Sequence, residues 1–133
     1  MTSKELCISY LDALNTGDLD KILSLFSLNA EVSSPLYGFR DVKSFYTELF
    51  NDTSRSKTRL LNVFDKSDSS NSAVALHFEY DWTLGNGNLV KFECVDVFQL
   101  TSDGQKFSNL TIIYDTAHLR ADFLKNKVLS TVI

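Results

Sequence analysis

The sequence predicts an α+β fold, and three observations carry that prediction. Apolar residues recur at helical spacing through roughly the first fifty positions. From about residue 60 the period drops to two and stays there to residue 114. Strong turn signals, Gly85-Asn86-Gly87-Asn88 and Ser102-Asp103-Gly104, separate the later two-period runs. Helices first and an antiparallel meander second is the order of an α+β domain, not of alternating strand–helix units.

Each element has its own signature. Leu6, Tyr10, Ala13 and Leu14 mark the inner face of a first helix, Gly17 supplies a left-handed stop, and Asp18 is an N-cap for the next helix. Leu19, Ile22, Leu23 and Phe26 at i, i+3, i+4 and i+7 form that second helix's apolar face. A short strand then ends at Pro35, and a turn passes through Tyr37 and Gly38. Val42, Phe45, Tyr46 and Leu49 repeat the helical spacing and place a third helix over 41–50. The polar run 51–57 reads as a loop, 60–64 as a strand, and the Ser/Asn/Asp cluster 65–72 as a turn. Val74, Leu76, Phe78, Tyr80, Trp82 and Leu84 then alternate with polar or small residues, a long half-buried strand. Strands over 89–100 and 106–114 complete the meander, and 115–129 is a short helix or a tail.

The 133 residues suit one domain spanning 1–133, long enough to bury roughly two-thirds of its unfolded surface. With 44% hydrophobic and 23% charged residues the composition is that of a globular protein. A net charge of −4 argues against nucleic acid or an anionic membrane as partner, since both need a basic footprint. No apolar run has membrane-spanning length, and the first residues lack a basic segment followed by an apolar one, so a cytoplasmic protein is expected. Cys7 and Cys94 sit in apolar surroundings without metal-like spacing and read as buried free thiols. His77 and His118 form no metal pattern, and no glycine-rich phosphate loop or nucleophile motif is present, so neither metal nor cofactor is expected.

Asp96 is the sharpest candidate for chemistry. Phe92, Cys94, Asp96 and Phe98 share one strand face, which lodges a carboxyl in an apolar stripe. A buried, unpaired carboxylate costs more than a neutral acid, so its pKa should rise. The alternative is an Asp96 that is ion-paired or turned outward at a bulge. The aromatic residues, Phe78 and Trp82 among them, read as core that doubles as the wall of an apolar cavity, suited to a small, flat hydrophobic ligand.

The run Tyr10-x-x-Ala13-Leu14-Asn15-x-Gly17-Asp18-Leu19-Asp20, with Val95-Asp96-Val97-Phe98 and Phe45-Tyr46, resembles the nuclear transport factor two-like superfamily, in particular its ketosteroid isomerase and SnoaL-like cyclase group. The resemblance covers nearly the whole chain and implies a cone-shaped fold, three helices packed on a curved antiparallel sheet of about four long strands plus one short strand. It places the group's oxyanion-stabilising tyrosine at Tyr10, its protonated aspartic acid at Asp96 and its supporting tyrosine at Tyr46. The group's general base, an aspartate before the strand-ending proline, is replaced by Ser34. Asp115, after the last strand, is the substitute base that the resemblance suggests, unless it merely caps the following turn. With Asp115, alternation puts Asn109, Thr111 and Ile113 on one face, which the same register turns into the cone as a substrate-reading edge. Phe78, Trp82 and Phe98 would form the apolar wall. The expected activity is isomerase- or cyclase-type proton transfer next to a carbonyl, with a non-catalytic binder or a protein-association domain as alternatives. The outer sheet face (Ala75, His77, Thr83, Val95, Val97) is only moderately polar and predicts a homodimer.

Overall fold

Thr2 starts the first helix with a capping box: its hydroxyl accepts from Glu5 N, and Glu5 reaches back to Thr2 N. This helix, α1 (Ser3–Thr16), buries Leu6, Cys7, Tyr10, Leu11, Ala13 and Leu14. Gly17 ends it in the left-handed conformation at φ 65°, and Asp18 N donates to Ala13 O, the bond that spans five residues in a Schellman closure. Asp18 caps α2 (Leu19–Ser24), its carboxylate accepting from Lys21 N at 3.0 Å. The computed structural model describes residues 1–66 and 72–132.

The second helix is shorter than its apolar spacing predicts, because Phe26 is drawn into a strand. Leu25 closes the helix, Phe107 N donates to Leu25 O at 2.9 Å, and Phe26 begins β1 (Phe26–Ser34) beside Phe107. Where a turn alone is predicted, Pro35 to Tyr37 lead into a further strand, β2 (Gly38–Asp41), which pairs back on β1 from Ser34↔Gly38 to Glu31↔Asp41. Asp41 then caps α3 (Val42–Asn51).

The predicted loop 51–57 is also mostly strand. β3 (Thr53–Lys66) runs antiparallel to β4 (Ala73–Leu84), with Arg55, Lys57 and Arg59 facing water and Ser56 inward. An edge strand with a solvated face carries too few apolar residues for its period to register. Most of the predicted turn 65–72 lies outside the described residues; Asp65 and Lys66 belong to β3. β5 (Leu89–Leu100) and β6 (Phe107–Ile113) complete a six-stranded sheet of order β2-β1-β6-β5-β4-β3, antiparallel except between β1 and β6. The strand count exceeds the expected five by the short β2.

α1 lies against β3 and α3 against β1, so the three N-terminal helices cover one face of the sheet and close a cone. The segment left open as helix or tail is α4 (Arg120–Val132), which buries Phe123 and Asn126, with Leu119 buried in the turn just before it. Among the described residues no helix is long and apolar enough to cross a membrane.

Candidate functional site

Strand phase builds the inner wall. Along β4 every second residue from Val74 to Leu84 is buried, which points Phe78, Tyr80 and Trp82 inward. On β5, Phe92, Cys94, Asp96 and Phe98 take the same side, paired with Tyr80, Phe78, Leu76 and Val74. Asp96 is only 2% exposed, among the most buried polar residues of the chain. The cavity beside it has a volume of about 40 Å³. Its sheet wall is Phe78, Tyr80, Trp82, Phe92, Cys94 and Asp96; its helix wall is Tyr10, Leu14, Phe45 and Leu49; Ser34, Tyr37, Ile112 and Tyr114 close the rim. Roughly three waters fill such a space, whereas a benzene-sized guest needs about 150 Å³. A ring-sized ligand therefore requires the walls to move.

Asp96 is held by neutral donors. Cys94 Sγ donates to its Oδ1 at 3.0 Å. Burial pushes its pKa up to about 7, against the opposing pull of hydrogen bonds from Cys94 and Tyr10. The Tyr10 and Tyr46 hydroxyls lie 2.8 Å apart, and burial first, the Asp96 charge also, raises both phenols well above their ordinary value. A carboxyl poised near neutrality beside a phenol can donate a hydrogen bond to a ligand oxygen when protonated, or accept a proton when not.

The structure brings together Tyr10, Asp96, Ser34, Phe78 and Trp82 on the cavity and sets Tyr46 directly behind Tyr10. Other predicted positions fall elsewhere. Phe98 is fully buried, stacked on Phe107 at 3.9 Å between ring centroids in the solid part of the core. Asn109, Thr111 and Ile113 face outward, because Ser108 is an extra residue: Leu100 pairs with Phe107 but Gln99 with Asn109. Phe107 and Leu110 therefore both point inward, and beyond the bulge Ile112 and Tyr114 face the cavity in place of Ile113 and Asp115. Asp115 is exposed and its carboxylate caps a turn, accepting from Ala117 N at 2.9 Å. Among the described residues, Asp96 is the one carboxyl lining the cavity.

The residues missed by sequence reasoning belong to the cavity mouth. Phe123 of α4 packs on Tyr37 and Trp82, with centroids at 5.1 and 6.3 Å. Asn126 donates to Asp52 O and accepts from Asn86 N, approaching so closely that a Cβ on Gly85 would lie 3.3 Å from its Oδ1. Lys127 Nζ reaches Asp52 at 2.8 Å and Glu48 at 2.6 Å, and Tyr37 OH donates to the same Asp52 carboxylate at 2.6 Å. Arg40 also pairs with Glu48. A small α+β cone with one acid at the foot of an aromatic cavity and a C-terminal helix across its mouth is the class that these features define.

Residues 8–108 match the SnoaL-like domain family, and the chain belongs to it. The fold is shared with PrhC from Penicillium brasilianum (TM-score 0.75, 13% identity, covering 96% of this chain and 88% of that one). It is shared also with AusH from Aspergillus nidulans (0.67, 20%, 87% of each chain). An NTF2-like protein of unknown function from Cytophaga hutchinsonii superposes with a TM-score of 0.68 at 18% identity, over 90% of this chain and 96% of that one. A search of curated proteins finds no match.

Proposed function

We propose that the cone binds a small hydrophobic molecule and that its polar foot, Asp96 with Tyr10, engages a ligand oxygen, the arrangement that isomerase- or cyclase-type proton transfer next to a carbonyl requires. The observation that carries this reading is an acid 2% exposed, lodged among aromatic rings beside a tyrosine pair. In its protonated form it is a donor where negative charge would develop, and the second donor is the Tyr10 phenol, whose hydroxyl lies 2.8 Å from that of Tyr46. Binding of a naphthol, a mimic of an enolate, tests this together with a carbon-13 NMR titration of the Asp96 carboxyl. The expected result is a midpoint near 7 and a shifted naphthol absorbance on binding. A midpoint near the ordinary 3.9 with no naphthol bound removes the site.

A non-catalytic binder is the second reading, favoured by Ser34. It lines the cavity where the family resemblance puts the base, and a serine hydroxyl without a base of its own takes no proton at neutral pH. Ser34→Asp separates the two. Isomerisation of a simple unsaturated ketone that arises only in the variant assigns the native chain to binding. Activity already present in the native chain assigns it to catalysis.

A homodimer through the outer sheet face completes the proposal. A cross-strand row runs Phe39, Ser33, Thr111, Val97, Ala75, Phe64, with exposed phenylalanines at both ends. A symmetric partner is the usual cover for such a face. Sedimentation at micromolar concentration should give twice the chain mass, and a monomer there counts against it.

A further inference from the structure

Among the described residues, the titratable groups found to act with Asp96 are all acids. Cys7 and Tyr10 approach it from α1, Tyr46 from α3, Tyr80 from β4, Cys94 along its own strand, and Tyr114 from the end of β6. Among the described residues, none of those lining the cavity is a lysine, arginine or histidine. It does contain a belt of electron-rich rings: Tyr80 and Phe92 at 5.3 Å, Phe92 and Tyr114 at 4.6 Å, Tyr80 and Trp82 at 6.3 Å between centroids. One carboxyl inside an aromatic belt, with every other local titratable group neutral or negative, is an environment whose unmet electrostatic need is a positive charge.

The chain supplies a precedent a short distance away. At the cavity mouth the Lys127 ammonium sits on the Asp52 carboxylate at 2.8 Å while lying over the Tyr37 and Phe123 rings, 5.4 and 5.8 Å from their centroids. That is a carboxylate-plus-ring receptor for an ammonium, occupied by the protein's own side chain. Tyr37 belongs to both places, since its ring also lines the cavity. The foot of the cavity repeats the same pairing of carboxyl and rings, and among the described residues no side-chain cation completes it.

We propose that the hydrophobic ligand of this cavity is an organic cation, a protonated amine or an iminium, whose charged group lies against the Asp96 carboxylate within the belt of Tyr80, Phe92 and Tyr114. This rests on the reading of the cone as a ligand-binding cavity, and it concerns the deprotonated form of the acid whose protonated form would serve an oxygen. A cation would stabilise the ionised carboxylate that burial otherwise disfavours, and the negative faces of the rings would attract its charge.

Benzylammonium and benzyl alcohol, nearly the same shape with and without charge, test this by titration calorimetry on the intact chain at pH 8 and pH 5.5, with naphthol as the neutral reference. The expected result is benzylammonium binding at least tenfold more tightly than benzyl alcohol at pH 8, with most of that preference lost at pH 5.5. At the lower pH, titrations in buffers of different ionisation heat should register a proton released as the amine binds. Asp96→Asn, checked for folding by its urea unfolding curve, should abolish the preference for the amine and leave benzylammonium and benzyl alcohol binding equally. Equal affinity of the amine and the alcohol in the native chain at pH 8 overturns the inference, whatever the variant does. Naphthol binding without the amine overturns the inference and leaves the ligand-binding reading standing. Failure of all three probes removes that reading and the inference with it. Tight amine binding that survives Asp96→Asn places the cation elsewhere and also overturns the proposal.

Discussion

Two buried aspartates stand on the same molecule in opposite circumstances. Asp52, 3% exposed, receives a phenol at 2.6 Å and an ammonium at 2.8 Å. Asp96, 2% exposed, receives a thiol at 3.0 Å and a neighbouring phenol, and no cation. The first is a completed ion pair that fastens α4 to the end of α3. The second is an acid whose charge the fold leaves uncompensated. Burial alone does not mark a functional acid; what distinguishes Asp96 is that its partners are all neutral donors. A buried pair is bound to its structural role, because each member is needed to neutralise the other. An acid without a counter-ion stays free to take or give up a proton.

The widest separation of the two should come from stability against pH. The folded state raises Asp96 from 3.8 to about 7, so between those values it keeps a proton that the unfolded chain has released. Stability therefore falls as pH rises through this window and levels off above about 7, a total loss of about 4 kcal/mol. Asp96→Asn removes the charge and with it this slope. At pH 8 the variant should be more stable than the native chain by up to that amount, and near pH 4 the two should converge. Urea unfolding at pH 4.5, 6 and 8 checks this, and parallel curves for the two proteins would erase the contrast with Asp52.

Asp52→Asn should act in the opposite direction. The substitution keeps an acceptor for Tyr37 and takes one counter-charge from Lys127, which keeps its ion pair with Glu48. Breaking a buried pair costs about 3 to 5 kcal/mol, and Lys127 is partly exposed with a second partner, so about 2 kcal/mol is expected here. Amide exchange should quicken in α4 above the rest of the chain, because Lys127 and Asn126 hold that helix down at this point. Equal stabilisation by the two Asn variants would mean that the counter-ion is not what separates the sites.

The same contrast explains which parts of the molecule were legible in the sequence. Tyr10 and Asp96 could be found because each lies on a regular element: one at helical spacing with Leu6 and Leu14, the other at period two with Cys94 and Phe98. Regular periodicity projects a residue onto a face, and the face was the inner one. Reading failed where a single residue broke the period. Ser108 advances β6 by one place, so Asn109, Thr111, Ile113 and Asp115 change sides together and Tyr114 takes the cavity position. Four residues between Phe26 and Glu31 bulge out against one in β6, and Asn29 takes φ 66° there, which breaks the period of two at the start of β1. The Asp52 cluster was illegible for another reason. Its members, Tyr37, Asp52 and Lys127, stand in a turn, a helix end and the last helix, and no local pattern links residues 15 and 75 positions apart.

The smallest effect concerns the donor that Asp96 has in place of a lysine. Cys94 Sγ gives its proton to Oδ1 at 3.0 Å, and its own thiol is pushed far up by burial first and by the Asp96 charge, so it stays a donor across the accessible pH range. A thiol is a weak donor, and its bond favours the ionised carboxylate modestly. Cys94→Ala removes that bond and leaves Tyr10 as the remaining stabilising donor, so the Asp96 midpoint should climb by about half a unit to one unit. Carbon-13 titration of the carboxyl reads this directly and separates it from the small packing loss of the same substitution, which moves stability equally at every pH. Cys94→Ser, whose hydroxyl is a stronger donor on a shorter bond, should send the midpoint the other way. If both variants leave it unmoved, the thiol is only filling space, and the phenol of Tyr10 alone opposes the effect of burial on Asp96.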